Sequence, residues 1–133
     1  VRTILGTAPA AGIEFSEAVP TNARWELLHV NVGLTTSATV ANRQPAFATN
    51  QSGNTTQLCA AAIAQSASDF NNWLWAPNLP AAAVAGQEII QQAMVQRTLL
   101  RGGDNFQAVT TNLQAGDQWT APRFTVREWL EVA

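Results

Sequence analysis

Apolar and polar positions alternate with a period of two along much of this chain. In residues 24–34, Leu28, Val30, Val32 and Leu34 share one side of an extended segment, while Leu27, His29, Asn31 and Gly33 share the other. That alternation predicts a half-buried strand. The C-terminal run repeats it, with Phe124, Val126, Leu130 and Val132 on one face and Thr125, Arg127, Trp129 and Glu131 on the other; Glu128 interrupts the apolar side. Shorter extended runs are predicted at 39–43 and 45–49, with Pro45 at a bend or an exposed edge, and at 69–75, 94–100 and 106–111. Turns separate them at 50–54, 101–104 and 114–117, where Gly, Asn and Asp gather. Two stretches stay open between strand and helix. Residues 55–67 are rich in Ala but start on β-branched residues, which favours strand; residues 86–93 could coil around Glu88, Ile89 and Ile90.

About eight strand-like segments joined by such turns predict an all-β fold, an antiparallel β-sandwich of jelly-roll type. No repeat or linker divides it, so residues 11–133 form a single domain. Residues 1–10 lie outside the strand pattern and are expected to form an N-terminal arm, mobile or held by a neighbouring subunit.

Composition narrows the function classes. Of 133 residues, 47% are apolar and 12% charged, with a formal net charge of −2, which argues against disorder and against strong attraction to nucleic acid or an anionic membrane. All seven basic residues are Arg, scattered without a basic stripe. Arg pairs well in planar geometry at buried interfaces, whereas Lys is the commoner solvating charge. So sparsely charged a surface either faces other subunits or reflects a biased genome. No run reaches the roughly 20 apolar residues of a spanning helix, and the first ten residues lack the apolar core of a secretion signal. Synthesis in the cytoplasm is expected.

Candidate chemistry is thin. Cys59 stands alone, which leaves no intrachain disulfide and no thiolate cluster for zinc. His29, the one histidine, reads as a structural residue rather than a general base, for want of an orienting partner. Glu14 and Glu17 read as strand and turn carboxylates. Asp104 and Asp117 each follow a glycine and read as turn closures, with a Ca²⁺ site in the same loops as the alternative. No nucleophile, phosphate-loop or dinucleotide motif appears. The chain is therefore expected to be no enzyme, with no cofactor and no metal. Its five Trp and five Phe carry more information. Trp73 and Trp75 share one strand face; they are either core, paired with Phe47 or Trp25, or a protein anchor, or a sugar-stacking platform. Trp119 and Trp129 are expected to cap the core on either side of the last strand.

Two blocks resemble small structural proteins of tailed bacteriophages. One is Thr111-Asn112-Leu113-Gln114-Ala115-Gly116-Asp117-Gln118-Trp119 with Ala121 to Leu130; the other runs from Val19-Pro20-Thr21-Asn22-Ala23-Arg24-Trp25 to Thr39-Val40-Ala41-Asn42-Arg43. The Leu-x-x-Gly-Asp-x-Trp turn is also similar to one in trimeric jelly rolls of the tumour-necrosis-factor and complement-head type. There Gly116 would supply a positive φ, Asp117 would close the turn, and Leu113 and Trp119 would return to the core. The resemblance covers about half of the chain and implies a virion component, a capsid cement or decoration protein. Such a protein is made in the host cytoplasm, binds the major capsid protein or other virion proteins, and acts as a homo-oligomer, a trimer, without nucleic acid or membrane. A receptor- or carbohydrate-binding module of a tail or head fibre is the alternative. The residues expected at the interface are Arg2, Ile4, Leu5, Arg43, Trp73 and Trp75.

Overall fold

The computed structural model describes residues 1–59, 63–84, 87–95 and 97–131, and these contain strands and no helix. In chain order they are β1 (Arg2–Leu5), β2 (Ser16–Ala18), β3 (Ala23–Thr35), β4 (Gln44–Gln51), β5 (Asn54–Cys59), β6 (Phe70–Ala76), β7 (Ala82–Val84), β8 (Ile89–Ala93), β9 (Leu99–Leu100), β10 (Asn105–Thr111), β11 (Gln118–Trp119) and β12 (Arg123–Leu130). The larger sheet runs β1-β12-β3-β6-β8-β7, with the short β9 and β11 also pairing with β3; the smaller runs β2-β10-β4-β5. The two lie face to face as a sandwich. Between them sits a core that includes Trp25, Trp73, Trp75, Phe124 and Val126 from the larger sheet and Phe47, Phe106 and Ala108 from the smaller. Aromatic rings knit the layers together. Phe47 meets Trp75 at 5.7 Å between ring centroids, Phe106 meets Phe124 edge-on at 4.9 Å, and Phe15 meets Trp119 edge-on at 5.1 Å.

The long strand β3 carries an irregularity that a strict period of two does not anticipate. Against β12, Thr125 faces His29 and the next residue, Val126, faces Leu27, so Leu28 is an extra residue on β3. Such a bulge reverses which side chains point inward. The core face is therefore Ala23, Trp25 and Leu27 before the bulge and Val30, Val32 and Leu34 after it, with Leu28 only half-buried. On β12 the apolar face stops at Glu128, whose carboxylate accepts the indole N–H of Trp25 at 2.7 Å. Beyond it Leu130 is 74% exposed, and Val132 lies outside the described residues.

Several expectations are corrected. The sheet is not wholly antiparallel, because β8 runs parallel to β6. After β6, the turn around Pro77 and Pro80 carries the chain past one strand position to β7, and β8 then folds back antiparallel to β7 into the vacant slot beside β6. Residues 89–93 are strand rather than helix. Ile90, Gln92 and Met94 are buried at period two, while Ile89, Gln91 and Ala93 face out. In the 55–67 stretch, residues 55–59 belong to β5 and Gln65 bridges Arg43; residues 60–62 lie outside the described residues. Residues 39–43 form no continuous strand, and Val40 is exposed. Pro45 is buried within β4 instead of lying at an exposed edge. It faces Thr110 of β10 on one side, at a level where β5 has already ended on the other.

The first ten residues are likewise part of the sandwich. β1 pairs antiparallel with β12, with Arg2 opposite Val126 and Leu5 opposite Arg123. Ile4 packs against the core, the Gly6 amide donates to the Pro122 carbonyl at 2.7 Å, and Gln118 reaches back to the Pro9 carbonyl at 2.8 Å. The short segment looked unanchored because its partner strand lies more than a hundred residues away in sequence.

Candidate functional site

The six residues expected at an interface divide sharply. Trp73 and Trp75 have no exposed surface and stack at 5.8 Å, with Trp73 Nε1 donating to Gln65 Oε1 and Trp75 Nε1 to Gln92 Oε1. Neither ring can meet a sugar or a partner. Arg43 is equally buried. Arg2, Ile4 and Leu5 sit together on β1, where Arg2 is exposed and pairs with Glu128 at 3.1 Å, Ile4 is half-buried and Leu5 is 65% exposed. Only this trio lies where another protein could touch it.

Arg43 belongs to an internal node. Its Nε and Nη2 donate to the two carboxylate oxygens of Asp117 at 2.8 and 2.9 Å, its Nη1 donates to the Ala41 carbonyl, and Nη2 also reaches Ser37 Oγ. Asp117 in turn accepts the backbone N–H groups of Ser37 and Gln114, both at 2.8 Å. Burial alone would raise the Asp117 pKa, but the guanidinium and the two amides outweigh it and hold the carboxyl at about 2 against a usual 3.8. The node ties the turn before β11 to the loop before β4. In that turn, Gly116 is needed for space, since a Cβ there would meet the Ser37 Cβ at 3.0 Å. The positive φ expected of it is found instead at Asn112, at 62°. Trp119 returns to the core as expected and Leu113 packs against it.

The other titratable candidates also hold structure. The Glu14 carboxylate accepts the backbone N–H and hydroxyl of Thr110 and the indole N–H of Trp119. Glu17 accepts the Thr7 amide at 2.6 Å, while partial burial raises its pKa. Asp104 closes its turn by accepting the Arg101 amide at 2.9 Å. Among the described residues no three His, Cys, Asp or Glu side chains come together as metal ligands would.

The outward face of the larger sheet is the broadest candidate surface. Strand alternation places Thr3 and Leu5 of β1, Arg123 and Thr125 of β12, His29 and Asn31 of β3, Asn72 and Leu74 of β6, and Ile89 and Gln91 of β8 on that side. Two rows show the pattern: Leu5, Arg123, Asn31, Leu74, Gln91 and Ala82 lie opposite one another in register, as do Thr3, Thr125 and His29. Most of these residues are half-buried by their neighbours. Over this area the side chains carry no carboxylate and one permanent charge, Arg123, which forms no ion pair among the described residues. Partial burial lowers the pKa of His29, so its ring is neutral at neutral pH. A depression of about 220 Å³ opens among Leu5, Asn31, Asn72 and Arg123, above Gly33. Gly33 cannot be enlarged, because a Cβ would come within 2.9 Å of the Phe70 ring. Alternation assigns residues of single strands to one side or the other, but the continuity of this face across six strands depends on a strand order that the sequence does not announce.

No protein-family model, curated protein or solved structure matches the chain.

Proposed function

We propose that this chain is a non-enzymatic structural protein of a bacteriophage virion, a capsid cement or decoration protein of jelly-roll type. On this reading it assembles as a homotrimer through the outward face of the larger sheet and binds the outer shell in that form. The observation that carries the proposal is the makeup of that face over the rows from Leu5 to Ala82 and from Thr3 to His29, which paired strands form and where Arg123 is the one permanent charge; Arg24, Glu26 and Arg127 lie further along, toward the start of β3. A surface of short uncharged side chains is poorly solvated on a free monomer and well suited to contact with protein. The resemblance of residues 19–43 and 111–130 to phage structural proteins supports the same reading. Both blocks contribute to the β3–β11–β12 region, next to the exposed Leu5 on β1.

The mechanism is thermodynamic. A protein that binds the assembled shell and not its dissociated subunits shifts the equilibrium toward the shell in proportion to its binding free energy. The major capsid protein is the partner, and the place of action is the virion after synthesis in the host cytoplasm. A carbohydrate-binding role at Trp73 and Trp75 draws no support from rings with no exposed surface.

Native mass spectrometry of the purified protein, alone and mixed with empty capsids of the phage that encodes it, tests both parts. The expected result is a trimer that adds to the shell in a fixed ratio to the capsid protein. A monomer that stays free at every shell concentration would overturn the proposal.

A further inference from the structure

A second surface, at the end of the larger sheet where β3 begins, has the opposite character. Here β3 is flanked by β12 on one side, with Trp129 opposite Arg24, and by β9 on the other, with Leu99 opposite Glu26. These side chains share a face, and between them and the β4–β5 turn lies a cleft of about 900 Å³. Trp129 is 46% and Leu99 54% exposed on its walls.

The charges around the cleft are unevenly spent. Glu131 is engaged by Arg24, Glu26 by Arg127 at 2.6 Å, and the buried Asp104 by the Arg101 amide. Arg97 and Arg101 also line the cleft and form no ion pair among the described residues. An acidic chain therefore presents two unpaired guanidinium groups beside two exposed apolar side chains. The backbone adds a second sign. Arg97 stands at a φ of 57°, in the left-handed region where glycine is the less strained choice. A bulky residue held there costs stability, and such strain gathers at functional positions.

We infer that this cleft binds an acidic protein segment, with carboxylates meeting Arg97 and Arg101 and an apolar side chain lodged against Trp129 and Leu99. This inference does not depend on the virion reading. Guanidinium groups favour planar carboxylates through paired, charge-assisted hydrogen bonds, and Trp and Arg are among the residue types enriched at energetic centres of protein interfaces. An acidic saccharide fits less well. Sugar hydroxyls need many neutral hydrogen-bonding groups, and the cleft offers few, since Gln51 Nε2 is already donated to the Leu99 carbonyl. A nucleic acid strand needs a run of basic groups to meet its successive phosphates, and the seven Arg residues form no such stripe.

The test uses fluorescence anisotropy on the full chain with a labelled peptide alternating Glu and Leu, and a matched peptide with Gln for Glu. The Glu/Leu peptide is expected to bind, more weakly as salt rises, and to quench Trp129. The Arg97→Gln/Arg101→Gln double variant and Trp129→Ala should each weaken binding by about tenfold or more. Arg97→Gly should lose affinity while its melting temperature stays level or rises, which a purely structural arginine would not do. Equal binding of the Gln/Leu peptide, unchanged affinity in the double variant, no peptide binding at all, or tighter binding of oligogalacturonate or an oligonucleotide would each overturn the inference.

Discussion

Asp117→Asn is expected to lower the unfolding free energy by about 3–5 kcal/mol, because it leaves the Arg43 guanidinium buried without its counter-charge. Both side chains of the pair have no exposed surface, so neither water nor salt can replace the lost partner. The loss should show in urea denaturation at neutral pH as a lower midpoint with an unchanged slope. Replacing both partners by leucine should cost less than the single change, since the uncompensated charge is then gone as well. The same carboxyl sets an acid limit. Its folded pKa of about 2 lies below the usual 3.8, so its stabilisation is complete well above pH 4 and is lost as the pH falls through 4 toward 2. The pKa difference corresponds to about 2 kcal/mol, and this part of the acid dependence should vanish in Asp117→Asn. A variant as stable as the parent at pH 7 would show that the pair is not buried.

Trp75→Ala should destabilise by a similar amount, about 3–5 kcal/mol. The ring touches Phe15, Phe47 and Trp73 and joins the two sheets, so its removal opens a cavity that rigid neighbours cannot close. It also strips a donor from Gln92, whose Nε2 is already buried without a hydrogen-bond partner in the described structure. Chemical denaturation measures the loss. A Trp75→Ala protein that kept its stability but lost a binding activity would place the ring on the surface, against the packing described above.

The sequence was most informative where one rule acted alone. Alternation over β3, β6 and β12 revealed an all-β chain, and the Asn-, Gly- and Asp-rich turns marked the ends of the strands. It misled where a long-range partner decided the outcome. The Leu28 bulge depends on the register against β12, so an unbroken apolar alternation at Leu28, Val30, Val32 and Leu34 concealed the switch to Leu27. The stretch 86–93, open between strand and helix in the sequence, is strand over residues 89–93 because Ile90 and Gln92 fill space beside Trp73 and Trp75 of β6. Tertiary packing of this kind overrides local propensity. Arg43 looked like a surface residue because arginine is seldom fully buried; its partner Asp117 lies 74 residues on, with nothing in the intervening sequence to join them. The arginines of the cleft were legible only as scattered positions, since the pairing of β9 and β12 with β3 is what gathers them.

Sedimentation velocity of the parent protein and of Leu74→Arg tests the central claim most directly. Leu74 lies mid-way across the outward face, opposite Asn31 on one side and Gln91 on the other, where a charge would block protein contact without entering the core. The expected result is an oligomer for the parent and a monomer of unchanged melting temperature for the variant. Identical sedimentation of the two proteins would contradict the assignment of this face as the contact surface.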